Sequence, residues 1–386
     1  MTMTSFRAHN GYMEMEYFTQ SMAEICAHST VAPDHRLIRT VIANPCAGGF
    51  TIKSRWKKHV RILEECRNKA LANPERPDSC FSETACAGGG LILTNGPGHA
   101  QCIAADIIKE AVAALDAHKK AGTADKPPFY LIITAGGDGT SLETLSAIFN
   151  APDEIRSAIA VLRLPMGTGN DGADALSLDA ALDLLIKPVS VVRTPALRLI
   201  PAAGGPSETK GPFLAFNILS VGLDAYVTHM TNKMKGKLPG DSYKLWVDIA
   251  SLLYDRLYKV DFMDVKGLDD KGNEVISFRE KILLLAMGVS GHRTYGAQKK
   301  ILPDDRNVCG IKQMPLLRKL VLKELFSTGT HVSKPEAITF SASRLEFSAL
   351  FPLLAQMDGE AILLEKADFP AVIELTDSVI PVLKLA

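Results

Sequence analysis

No two of the seven cysteines, Cys26, Cys46, Cys66, Cys80, Cys86, Cys102 and Cys309, stand in a C-x-x-C pair. The usual zinc spacing is therefore excluded, and an odd, scattered set is a poor disulfide framework, so a reducing, cytoplasmic setting is expected. Net charge is missing as well: 43 Lys and Arg balance 43 Asp and Glu. Without a basic field, nucleic acid is not an expected partner. No apolar run reaches the roughly 18 residues needed to span a bilayer. The first 35 residues lack the basic start and apolar block of a signal peptide, and are expected to form a short amphipathic helix or an extension. There is no internal repeat and no low-complexity tract. What remains is an ordinary globular composition, 47% hydrophobic and 22% charged, over 386 residues, enough for two domains.

Organised pattern starts at "LIRTVIANP" (37–45), an apolar strand that stops at Asn-Pro. Next comes "IKSRWKKHVRILEECRNKA", with apolar residues at 52, 56, 60 and 63, a helical spacing. Strands follow at 90–94, in "FYLIITA" and at 158–165, separated by helices from about His99 to Lys120, in "LETLSAIF" and in "LDAALDLLI". Strands alternating with helices predict parallel βαβ units, with sites at the carboxyl ends of the strands. After Pro188 short β-rich segments dominate, with one helical island at 242–258. The expected division is thus an N-terminal extension (1–36), an α/β domain (37–189) and a mostly antiparallel, sandwich-like domain (190–386), whose extreme C-terminus can pack back on the first domain.

Glycine marks the strand ends. "LIITAGGDGTSLET" runs an apolar strand into Gly136, Gly137, Asp138, Gly139 and Thr140 and then starts a helix. Free amides at a helix N-terminus and the helix dipole favour phosphate there. An aspartate fits such a turn as its cap, or as a carboxylate that shares Mg²⁺ with a phosphate. "LPMGTGNDGA" repeats the theme with Thr168, Asn170 and Asp171, and "ANPCAGG" closes the first strand with Asn44. Three such ends on one edge of one sheet describe a nucleotide crevice.

The motifs "NPCAGG", "T-NGPGHA" (from Thr94), "GGDGT", "LPMGTGND", "FNILSVGLDA" (216–225) and "MDGE" (357–360) resemble, in order and spacing, those of the diacylglycerol kinase catalytic-domain family. That group also holds sphingosine, ceramide and bacterial lipid kinases, and its architecture is shared with NAD kinase. The resemblance implies an α/β ATP-binding domain followed by a β-sandwich-like lipid domain, with the active site between them. It implies ATP contacts at Asn44, Thr94, Thr168, Asn170 and the loop Gly136, Gly137, Asp138, Gly139, Thr140, Ser141 and Leu142. Asp138 and Asp171 match residues tied to Mg²⁺ and phosphate, and Glu360, or its neighbour Asp358, matches the general base. "ILPDD" (301–305) is similar to an acidic segment that holds a structural Mg²⁺ in some members, which implies Asp304 and Asp305 as ligands. One departure stands out: Ala196 occupies the place of an aspartate common in the family.

The function these readings imply is transfer of the γ-phosphate of ATP to a hydroxyl of diacylglycerol or a related lipid, such as a sphingoid base or phosphatidylglycerol. The rivals are an NAD kinase-like enzyme with a soluble acceptor, and a nucleotide- or lipid-binding protein without turnover. The basic stretch "KMKGK" (233–237) near Trp246 is either a solvated loop or a contact with anionic headgroups at a membrane surface. Edge strands leave a homodimer open.

Overall fold

The computed structural model describes residues 3–122, 124–167, 169–234, 254, 260–296 and 299–386. The chain divides into two compact units, Met1–Thr194 with Ser378–Ala386, and Pro195–Asp377.

The first unit contains helix α1 (Met3–Ala27), strand β1 (Arg36–Ala43), helices α2 (Gly48–Thr51) and α3 (Lys53–Ala70), and strands β2 (Cys80–Phe81) and β3 (Leu91–Leu93). It continues with α4 (His99–Ala121), β4 (Pro128–Gly136), α5 (Asp138–Phe149), α6 (Asp153–Ser157), β5 (Ile159–Pro165), α7 (Leu178–Ile186) and β6 (Val189–Thr194). Strands β1 to β5 are parallel, in the order β2-β1-β4-β5, with β3 alongside β1. Burial explains their composition: all nine residues of β4 and the last seven of β1 are inside, as parallel strands covered by helices require.

Two findings describe the ends of the chain. The helix expected near the N-terminus forms as α1, and its Phe18, Met22 and Ile25, spaced i, i+4, i+7, lie in the same core as Leu63 of α3 and Leu131 and Ile133 of β4. The β-rich segment that follows Pro188 is also split. Its first strand, β6, stays with the first unit because it pairs antiparallel with the C-terminal strand Ile380–Leu385. That closing strand also runs parallel to β5, so the last residues of the chain complete the first sheet.

The second unit is one antiparallel sheet of eleven strands that doubles over on itself. It starts with β7 (Leu197–Ile200), β8 (Phe213–Ala215), β9 (Ile218–Gly222) and helix α8 (Leu223–Met234). β10 (Phe262–Leu268), β11 (Glu274–Gly288), β12 (Arg293–Tyr295), β13 (Lys299–Leu302), β14 (Val308–Lys312) and helix α9 (Leu316–Thr328) follow. It ends with β15 (Ala337–Phe340), β16 (Arg344–Ala349), β17 (Leu353–Met357), β18 (Glu360–Leu364) and β19 (Ala371–Leu375). The 15-residue β11 serves both layers. Residues up to Lys281 pair with β10, and those from Ile282 pair with β14 and β9. Val265, Phe347 and Ile373 from one half meet Leu219, Leu285 and Met357 from the other in a single core. The sandwich-like expectation describes this enclosure, although one continuous sheet forms it. β12 and β13 stand apart as a hairpin. The helical island expected at 242–258 lies, apart from Tyr254, outside the described residues, as do Trp246 and residues 235–237.

The C-terminal strand gives a direct test. Leu383 is 2% exposed in the core of the first unit. Leu383→Ala should lower the unfolding free energy by about 2–5 kcal/mol, read from urea unfolding followed by circular dichroism.

Candidate active site

Three glycine turns meet at the carboxyl ends of β1, β4 and β5. The amide of Asn44 donates to the Ala135 carbonyl (3.0 Å), that of Thr94 to Ala43 (2.8 Å) and that of Gly49 to Met166 (2.7 Å). Glycine is needed where the turns touch. A Cβ on Gly167 would overlap the Gly137 Cα, and one on Gly49 would lie 2.7 Å from the Met166 carbonyl oxygen. A single residue, Gly137, separates β4 from α5, so Asp138, Gly139 and Thr140 are the first turn of the helix rather than a loop before it. Amides of a first turn have no acceptor within their own helix, which leaves them available to an anion. Ser141 packs back on the strand, with its hydroxyl 3.1 Å from that of Thr134.

Asp138 organises the third turn. Its carboxylate accepts the amide of Gly172 (3.0 Å) and is further held by the amides of Asp171 and Asn170. Desolvation nevertheless dominates, raising its pKa above the ordinary carboxylate value against the pull of these amides and of Arg163. Asn170 adopts a left-handed backbone (φ 60°). Its side chain closes the turn from inside, accepting the Gly167 amide (2.6 Å) and donating to the Gly167 carbonyl (3.0 Å). Asn44 behaves similarly in the first turn, accepting the Cys46 amide at 2.9 Å. Asn44 and Asn170 are thus employed in shaping the backbone, while Thr168 lies outside the described residues.

The carboxylates of Asp138 and Asp171 face a common point. A Cβ on Gly169 would lie 2.8 Å from Asp138 Oδ2 and 3.4 Å from Asp171 Oδ2, so only glycine leaves that space open. Two carboxylates, one of them poorly hydrated, suit Mg²⁺, which typically takes one or two carboxylates and completes its shell with phosphate oxygens and water. The acidic segment expected to hold a second ion behaves otherwise. Both oxygens of Asp304 pair with Arg306, and Asp305 is fully exposed beside His292 (2.9 Å). Among the described residues no group of three or more His, Cys, Asp or Glu assembles into a metal site. Asp304 is thus paired with a guanidinium two residues away, and Asp305 faces solvent.

In the second unit, Asp358 and Glu360 separate in role. Asp358 is buried and accepts the amides of Phe216, Asn217 (3.1 Å) and Ile218 (3.0 Å). Its carboxylate stitches the start of β9 to the turn after β17, whereas Glu360 opens β18 with an exposed side chain. Ala196 is fully buried, with its amide on the Thr376 hydroxyl (3.0 Å), so that position contributes no carboxylate.

Several supporting residues escaped the sequence reading. Arg163 and Asp174 form a buried ion pair (2.7 Å), and Asp174 also accepts the Arg163 amide, which ties the far end of the third turn to β5. Glu143 of α5 accepts the amides of Gly98 (2.7 Å) and Ala100 (3.1 Å) and so caps α4 behind Thr94. Arg55 of α3 reaches the Gly167 carbonyl (3.4 Å). The density of charged residues after strand ends was the available signal, but nothing in spacing pairs residues 45 positions apart.

The pKa shift of Asp138 has a measurable sign. A carboxyl whose folded-state pKa is raised disfavours the folded state once it ionises, so its stabilising contribution is lost as pH rises through that value. Asp138→Asn should raise the melting temperature at neutral pH. The gain should shrink as pH falls below the ordinary carboxylate range, and differential scanning calorimetry across pH would read both. Gly167→Ala should separate the turns and weaken nucleotide binding by at least tenfold in calorimetric titration, given the overlap with Gly137.

Comparison with known proteins agrees with this geometry. Residues 39–196 match the diacylglycerol kinase catalytic domain. Two relatives, each named "Probable lipid kinase YegS-like", come from Yersinia enterocolitica and from Yersinia pestis (strain Pestoides F). Both are 26% identical over 60% of this chain and 72% of their own length. The fold is similar to a solved structure described as a "putative diacylglycerol kinase" from Bacillus anthracis strain Sterne, with a TM-score of 0.54, 17% identity, and coverage of 90% of this chain and 94% of that one. With its glycine turns, its first-turn amides and its facing aspartates, the segment 39–196 is similar to a diacylglycerol kinase catalytic domain.

Proposed function

We propose that this protein is a kinase that uses ATP and Mg²⁺ to phosphorylate a hydroxyl group of diacylglycerol or a related lipid, a sphingoid base or phosphatidylglycerol among them. The observation that carries the phosphoryl-transfer half is the convergence of first-turn amides, touching glycine turns and the two facing aspartates at one sheet edge. The lipid half is supported by the names of the relatives and by the motifs "TGND" and "MDGE", which resemble those of lipid kinases rather than NAD kinases.

Phosphoryl transfer asks chiefly for positioning and charge neutralisation, with one group to take the proton of the alcohol. The amides of Asp138, Gly139 and Thr140, with Thr94 and Thr168, would bind and orient the triphosphate. Asp138 and Asp171 would hold Mg²⁺, whose chemistry is to neutralise charge on the phosphoryl oxygens. Glu360 is the proposed general base, since the carboxylate of Asp358 is committed to three backbone amides. None of the helices among the described residues is long and apolar enough to cross a membrane. A lipid acceptor then calls for transient contact with a membrane surface from the cytoplasmic side.

The test is release of ADP from Mg·ATP with diacylglycerol, sphingosine, ceramide or phosphatidylglycerol in mixed micelles, and with NAD in parallel. Lipid-dependent turnover is expected, with kcat reduced at least 100-fold by Asp138→Asn and by Glu360→Gln. Stimulation by NAD alone would refute the lipid reading.

A further inference from the structure

We propose that Asn232 and Gln356 are positioning residues for Glu360, so that helix α8 sets the aim of the base. The proposal rests on the reading of Glu360 given above.

Glu360 follows a two-residue hairpin turn between Met357 and Glu360, which pair across the end of β17 and β18. Both turn residues are left-handed, Asp358 at φ 45° and Gly359 at φ 99°, the geometry that suits the twist of paired strands. The turn is held by more than its own ladder. The Gln356 Oε1 accepts the amide of Gly359 (3.1 Å). The Gln356 Nε2 donates to Ser220 Oγ (2.9 Å) and to Asp224 Oδ2 (3.3 Å), and Ser220 Oγ donates to the same Asp224 oxygen (2.7 Å). From the other end of α8, Asn232 Nδ2 donates to the Gly359 carbonyl (2.8 Å). Asp224 and Asn232 are eight residues apart on one helix, about 12 Å along its axis.

Gly359, the residue next to Glu360, is therefore tied through both its amide and its carbonyl to side chains anchored on α8. Gln356 and Ser220 are fully buried, so that side of the clamp belongs to a satisfied interior network and cannot yield without breaking it. Asn232 is exposed, and its bond to Gly359 is the part that can be removed without opening the core. The backbone of the hairpin sets where the Glu360 carboxylate starts from, and a misplacement of about 1 Å in a reacting group costs up to about 100-fold in rate. A helix that grips the turn at two points supplies that aim.

The experiment compares Asn232→Ala and Asn232→Asp, each of which removes the donor, with the full-length chain in steady-state assays with Mg·ATP and the preferred lipid. The expected result is a kcat about tenfold lower, with KM for ATP and the melting temperature unchanged. A residue that acts through Glu360 must lose its effect once Glu360 is gone, so Asn232→Ala should add no further loss in the Glu360→Gln background. Wild-type kcat in both single variants, or losses that multiply in the double variant, would overturn the proposal. If Glu360→Gln is itself fully active, the reading of the base fails first, and the proposal falls with it.

Discussion

The contact between Gly137 and Gly167 governs the arrangement of the candidate site. Two backbone turns from neighbouring strands approach until no Cβ fits between them. That approach brings the first turn of α5 beside the loop that carries Asn170 and Asp171, and lets one carboxylate, Asp138, bind the amides of that loop. The buried Arg163–Asp174 pair holds the far end of the same loop, so it is pinned at both ends. Breaking either partner of such a pair leaves an uncompensated charge in the interior, which is why the arrangement resists drift.

The same packing places Asp138 under tension. Its carboxylate is desolvated enough that the amides around it and Arg163 do not bring its pKa back to the ordinary value. A site poised in this way is less stable than it could be, and a bound cation shared with phosphate would relieve it. Asp358 in the second unit is buried, accepts amides at the start of β9 and serves as a structural stitch. Two aspartates in glycine-rich turns look alike in sequence, and their surroundings assign them different work.

Much of the first unit was legible in the sequence because its signals are local. Apolar runs such as "FYLIITA" followed by glycine, and the helical spacing of 52, 56, 60 and 63, depend only on neighbours along the chain. The position of α1 was not legible, since an amphipathic face does not say which core it covers, and Phe18 and Met22 met theirs only in the fold. That the extreme C-terminus returns to the first unit was anticipated, but not its strand partners, because β5 and β6 lie some 190 to 220 residues earlier. In the site, the turns and Asp138 could be read directly. The caps and clamps made by Glu143, Asp174 and Asn232 could not, because each joins segments that only tertiary packing brings within hydrogen-bond distance.

The sequence by itself determined the parallel α/β character of the first half, the β-rich character of the second, the family motifs and the glycines that allow backbone to approach backbone. These follow from side-chain periodicity and from the absence of a Cβ, both of which are properties of short stretches. The tertiary structure alone decided that Asp138 and Asp171 face one point, and that Asp358 stitches strands while Glu360 stays exposed. Burial and hydrogen-bond partners set what a carboxylate does, and those are fixed only when distant segments pack.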